Sequence, residues 1–263
     1  NCHHAKIHFF LPCIEEIKIF ITKYSSTDLG KLNMDKVFTR FAFSSFLLAT
    51  VSVSYAQETN HAGYYVSAKV ATAKLKADNM ETSLRPGIGQ FVAGDEKKNL
   101  TNASLGFGYD FGNGWRTEGE YTFKNDAEFT SGSSNFPTSF NHHKVDTQRL
   151  MLNAYRDFEV LNNVAIYGNL GLGVAHIESS GWQGNISRQY LANTDTQLVY
   201  SVGAGASYKA IPNLNLDLGY RYVDLGKAES GLNNFANARG LQDEQMKAHL
   251  YSSEFYLGAR YSF

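Results

Sequence analysis

Cysteine is almost missing from this chain. There are two, Cys2 and Cys13, and nothing downstream of Cys13 carries a thiol. A disulfide framework or a thiolate metal site is therefore excluded for the folded part, whose stability must come from sheet closure and packing. Proline is scarce, with four in 263 residues. No run of about eighteen apolar residues is present, so no helix is expected to span a membrane. An excess of positive charge is lacking too: 24 Lys and Arg face 25 Asp and Glu, a formal net charge of −1, so nucleic acid is not expected as a partner. What is abundant is aromatic and small: 16 Tyr, 18 Phe and 23 Gly. Such a composition, with weak overall hydropathy, suits a sheet that faces lipid with only every second residue. Length alone admits one large domain or two ordinary ones.

The segment from Met34 reads MDKVFTRFAFSSFLLATVSVSYAQ. Lys36 and Arg40 supply a basic start, residues 41–53 an apolar core, and Ser54-Tyr55-Ala56 the small residues that precede cleavage between Ala56 and Gln57. Residues 34–56 are thus expected to be a secretory signal. A start at Met34 leaves residues 1–33, which contain no methionine, as translation carried too far upstream or as a cytoplasmic extension. Neither belongs to the fold.

The rest alternates with a period of two. In residues 214–223 (LNLDLGYRYV), Leu214, Leu216, Leu218, Tyr220 and Tyr222 share one face, opposite Asn215, Asp217 and Arg221. In residues 253–263 (SEFYLGARYSF), Phe255, Leu257, Ala259, Tyr261 and Phe263 lie opposite Glu254, Arg260 and Ser262. A helical period would scatter these residues around an axis, so strands are expected. Eight can be placed, over residues 64–75, 99–111, 115–124, 145–158, 164–177, 195–208, 214–225 and 248–263. Most have the roughly nine to eleven residues that cross a bilayer at a tilt. Short connections follow the second, fourth and sixth strands. Long polar ones follow the first, third, fifth and seventh, three of them spanning residues 76–98, 125–144 and 227–247. This asymmetry predicts an eight-stranded antiparallel outer-membrane β-barrel, with short periplasmic turns and four long extracellular loops. Closure follows because an unpaired sheet edge in lipid costs several kcal/mol per group.

The stretches GYDFGNGWRTEGEYTF (residues 108–123) and LDLGYRYVDLG (residues 216–226) resemble the small outer-membrane barrels of the opacity-protein and OmpA-like group. The terminal YLGARYSF resembles that group's C-terminal signal, which implies that Tyr261 and Phe263 are read by the barrel-assembly machinery. The resemblance runs from about Gly63 to Phe263. It implies a structural barrel, a surface antigen or an adhesin, some members of the group having weak pore activity.

On the polar face fall Arg116, Glu118, Glu120, Arg149, Asp217, Arg221, Glu254 and Arg260. An eight-stranded barrel is just wide enough for its side chains to fill, so these charges must pair. A salt-bridge network plugging the lumen is the structural reading and a gated ion path the functional one. The narrow bore favours the first. Outward aromatics such as Phe107, Trp115, Tyr121, Tyr220 and Phe255 fit girdles at the membrane boundaries.

An enzyme is the competing class, since a lipid A-modifying barrel would join Ser, His and a carboxylate near the outer rim. His176, Glu178 and Ser179 form one candidate set, and His249, Ser252 and Glu254 another, without the spacing of a deacylase. His142-His143 lacks a third metal ligand, and adjacent strand residues point apart. The glycines of residues 168–173 are followed by no helix. No catalytic residue, cofactor or metal is therefore expected. The expected partners are outer-membrane lipid and lipopolysaccharide, the assembly machinery, and a host or surface ligand reached through the loops. The leading expectation is an opacity- or adhesin-like surface protein, with a narrow porin and a lipid A-modifying enzyme as alternatives.

Overall fold

The computed structural model describes residues 62–80, 89–237 and 239–263. The upstream segment 1–33, the signal 34–56 and the Ala56–Gln57 cleavage position lie outside the described residues, as do residues 81–88 of the first long connection. Nine strands are present: β1 (Ala62–Asp78), β2 (Phe91–Ala93), β3 (Lys97–Phe111), β4 (Trp115–Ser133), β5 (Phe136–Leu161), β6 (Val164–Gln183), β7 (Asn185–Ile211), β8 (Leu214–Glu229) and β9 (Lys247–Ser262). All but β2 form one antiparallel ring, closed by β4 on β5 and by β1 on β9 from Tyr65↔Ser262 to Asp78↔His249. The eight-stranded barrel is thus observed, and each expected strand is found.

The periplasmic rim is made of tight turns. Gly112-Asn113-Gly114 joins β3 to β4 with both glycines at positive φ (69° and 82°), a conformation that costs a residue with a Cβ. Asn162-Asn163 and Pro212-Asn213 make the other two turns.

At the other rim the strands overrun their expected ends. β4 and β5 continue to a turn at Ser134-Asn135, pairing as far as Ser133↔Phe136. β6 and β7 continue to Gly184, with Gln183↔Asn185 the last pair. Residues 125–144 are therefore mostly a twisted ribbon. β2 covers the tip of that ribbon's edge through Phe91↔Ser133 to Ala93↔Ser131. Residues 230–246 are irregular and are pinned by Asn233, whose Oδ1 accepts from Glu244 N at 2.8 Å while its Nδ2 donates to Phe235 O at 2.6 Å.

Along the barrel axis the apolar side changes over. Toward the periplasm it faces out: Val70, Leu152, Leu170, Leu218, Phe255 and Leu257 are all more than half exposed, as lipid contact requires. Toward the outside it faces in: Leu75, Phe129, Val145, Ile177, Val199, Leu225 and Leu250 are buried in one cluster. β1 makes the change in sequence, from outward Val66, Ala68 and Val70 to inward Ala71, Ala73, Leu75 and Ala77. β4 makes it with a bulge. Between Thr122↔Arg149 and Asn125↔Thr147, two residues oppose one, which flips every later side chain to the other face. Inward Glu118, Glu120 and Thr122 thereby give way to inward Ala127 and Phe129. β8 makes it in sequence, from inward Asp217 and Arg221 to inward Val223, just before a second bulge between Asp224 and Gly226.

Candidate functional site

The eight charged residues read from the sequence are all buried, and they fall into two groups. Glu118, Glu120, Arg149, Arg221 and Glu254 form one connected chain in mid-barrel. Arg221 donates from Nη1 to Glu120 and from Nε to Glu254, each at 2.6 Å. Arg149 Nη2 lies 2.7 Å from both oxygens of Glu254. Lys69, missed in the sequence reading, completes the chain. Its ammonium contacts Glu118, lies 2.5 Å from Glu120 and donates to the Tyr155 hydroxyl at 3.1 Å. Tyr65 and Ser67 place Lys69 on the inward face of β1 by simple alternation, so the signal was there. Three cations then meet three carboxylates, as a buried ionic layer requires.

Nearer the periplasm lie separate pairs. Arg116 Nε donates to Asp157 at 2.8 Å and stacks 3.8 Å from the Tyr155 ring centre. Arg260 donates to Asp217 at 3.4 Å and to Ser207 at 3.1 Å. Tyr155, Tyr167 and Tyr256 pack together there, with the Tyr167 and Tyr256 hydroxyls 2.8 Å apart. Glycines make room for these rings: a Cβ on Gly219 would lie 2.5 Å from Tyr256 and 2.6 Å from the Tyr167 hydroxyl. The bore thus holds tyrosines, then ions, then the apolar cluster.

The proposed catalytic sets do not converge. His176 and Glu178 face outward, with Glu178 accepting from Lys124 at 3.1 Å, while Ser179 points inward. His249 lies outside against Asp224 at 2.7 Å, whereas Ser252 points inward and donates to Glu254 at 3.0 Å. His142 and His143 sit on opposite faces. His142 stacks on Trp182 and bonds Glu128 at 2.8 Å; His143 is buried, its Nε2 2.5 Å from Ser179 Oγ. The serine–imidazole contact is the catalytic fragment that alternation could not show, but among the described residues no carboxylate bonds the ring. Residues 168–173 lie within β6. Among the described residues no group of three or more His, Cys, Asp or Glu is placed to hold a metal.

Tyr261 and Phe263 both face outward and are exposed, and Phe263 N donates to Tyr64 O at 3.1 Å. At the extracellular end, Phe91, Val92, Phe136, Phe140, Ile186 and Leu191 are also exposed, although they stand well beyond the lipid-facing stretch.

Residues 43–263 match the outer membrane protein β-barrel domain family. The chain belongs to that family. It is therefore an outer-membrane protein; its rim of short turns is called periplasmic and its rim of long ribbons extracellular, as their lengths lead one to expect. Among curated relatives, outer membrane protein PagN of Salmonella typhimurium is 24% identical over 217 residues, which cover 76% of this chain and 90% of PagN. The attachment invasion locus protein of Yersinia enterocolitica is 25% identical over 156 residues, 57% of this chain and 80% of that protein. Among solved structures, outer membrane protein OprG of Pseudomonas aeruginosa superposes with a TM-score of 0.50 at 13% identity, over 77% of this chain and 97% of OprG. That likeness concerns the fold alone.

Proposed function

We propose that the protein is a non-catalytic surface-attachment protein, in which a plugged barrel anchors an extracellular recognition surface. The observation that carries this reading is the exposed apolar set Phe91, Val92, Phe136, Phe140, Ile186 and Leu191, held by β2, β5 and β7 on ribbons with a packed interior. Apolar side chains facing water on a rigid protrusion mark an interaction surface. The Yersinia enterocolitica relative, named for attachment and invasion, supports the same direction. The three-against-three ionic layer supports a closed lumen rather than an ion path. Export through residues 34–56, a mature barrel from Gln57 onward, and recognition of Tyr261 and Phe263 during assembly complete the proposal.

Expression of the full chain in a non-adherent bacterium, followed by counting cells bound to cultured epithelium, tests it. Attachment is expected in the wild type and lost in Phe136→Ser/Phe140→Ser/Ile186→Ser, with both proteins showing the same heat-modifiable gel migration. A triple variant that binds like the wild type rejects the tips as the contact surface.

A further inference from the structure

The outward face where β1, β3, β8 and β9 meet carries a depression of about 450 Å³ lined by Lys74, Lys76, Asp78, Lys97, Tyr222, Tyr251 and Ser253. Its register places it at a defined height. Lys74 pairs with Ser253 and Ser253 with Tyr222; one row farther out, Lys76 pairs with Lys97 on one side and Tyr251 on the other. One row farther in come Thr72, Phe255 and Tyr220, and then Val70, Leu257 and Leu218, the start of the exposed apolar belt. The lysines therefore stand at the boundary between lipid tails and water on the extracellular side.

The charges are not balanced. Lys76 stands directly across from Lys97, an arrangement that costs energy in an antiparallel ladder. Asp78, 2.8 Å from Lys76, is the carboxylate paired with this trio among the described residues. Glu96 adds a weaker field at Lys76. On the opposite side of the barrel the pattern is different, since Lys124 is held by both Asp146 at 2.8 Å and Glu178 at 3.1 Å. Among the described residues the outward cations are thus neutralised on one side and left in surplus on the other.

We propose that this depression seats a phosphate of an outer-leaflet glycolipid. The ammonium groups of Lys74, Lys76 and Lys97 surround the anion and relieve their own repulsion, and the hydroxyls of Ser253, Tyr222 and Tyr251 donate to its oxygens. The acyl chains descend over Val70, Phe255 and Leu257. Position selects the lipid: a soluble anion would gain the charge contacts but nothing from the apolar belt immediately below.

The test is native mass spectrometry of the full chain folded in detergent and titrated with diphosphoryl lipid A or its fully dephosphorylated form. The wild type is expected to retain the phosphorylated lipid selectively. Lys74→Gln/Lys97→Gln is expected to weaken that binding roughly thirtyfold, at about a fivefold loss per cation near a membrane surface. Ser253→Asp, which adds a carboxylate to the depression, should lose binding too, giving a second route should the lysine variant fold poorly. Lys74→Arg/Lys97→Arg and Lys124→Gln should bind like the wild type. Equal retention of dephosphorylated lipid A, or undiminished binding by folded Lys74→Gln/Lys97→Gln and Ser253→Asp, overturns the proposal. So does displacement of the lipid by a soluble sulfated oligosaccharide at equal anion concentration, which would make the face a site for soluble polyanions.

Discussion

Arg149 and Glu254 meet across the full diameter of the barrel. Three strands of the ring separate β5 from β9 in either direction, yet Arg149 Nη2 lies 2.7 Å from both carboxylate oxygens. Glu254 also receives Arg221 at 2.6 Å and Asn102 at 3.0 Å. Removing its carboxylate takes away the one that Arg149 meets and one of the two that Arg221 holds. Glu254→Ala is expected to lower unfolding stability by about 3–5 kcal/mol, read as a shift in the urea midpoint of the heat-modifiable band. An unchanged midpoint would mean that the ionic layer contributes nothing to holding the barrel together.

The apolar cluster above that layer gives a separable prediction. Phe129 is fully buried among residues such as Val145, Ile177 and Leu250. Phe129→Ala should cost about 3–5 kcal/mol through the cavity it leaves. The loss should be local: faster trypsin cleavage at Lys144 and Arg188 on intact cells, with the membrane belt still protected. Whole-barrel collapse instead would show that the two halves do not open independently.

Acid should act on the same region. His143 lies seven residues beyond Leu150, where the lipid-facing apolar run of β5 ends, and burial lowers its pKa to about 4 from an ordinary 6.5. A base whose folded pKa is depressed stabilises the fold fully above its unfolded value, and that contribution is lost as pH falls from about 6.5 through 4. The full span is worth on the order of 3 kcal/mol. Protease resistance of the ribbons should therefore drop between pH 6.5 and 4 in the wild type and much less in His143→Gln. Parallel curves would assign the pH dependence to other groups.

The tyrosine layer near the periplasm predicts a contrast between two glycines. Gly219→Ala drives a Cβ into Tyr256 and the Tyr167 hydroxyl, whereas a Cβ on Gly119 meets nothing nearer than Phe107 O at 3.8 Å. The first should destabilise by about 1–3 kcal/mol through overpacking, and Gly119→Ala should be near neutral. Equal midpoints would show that the ring tips shift without cost.

Where the period of two runs unbroken, the sequence was a sound guide. The strands around Leu216 and Leu257, the outward Tyr220 and Phe255, and the inward Arg221 and Glu254 could all be placed from it. It misled where the period continues in residues but not in space. Phe129 keeps the odd parity of Tyr121 and Phe123, which face outward, and only the extra residue in the bulge turns it inward. Without that information residues 125–144 look like a loop rich in Ser, Asn and Phe. Lys69 was a different omission, legible from Tyr65 and Ser67 but needing its partners on β4 to look significant. The contact between His143 and Ser179 depends on the register of two extended ribbons, which no local pattern supplies.

The unbroken pairing of β5 with β6, from Glu159↔Ala165 near the periplasmic turn to Asn141↔Gln183 near the tips, bears on how the molecule withstands load. A partner pulling outward on the tips pulls along the strands, while the rungs of an antiparallel ladder lie across them. Many hydrogen bonds are then strained together in shear instead of being peeled one after another. A tether of this design resists detachment under flow through its own backbone, and its weakest link under tension is the contact it makes with its partner.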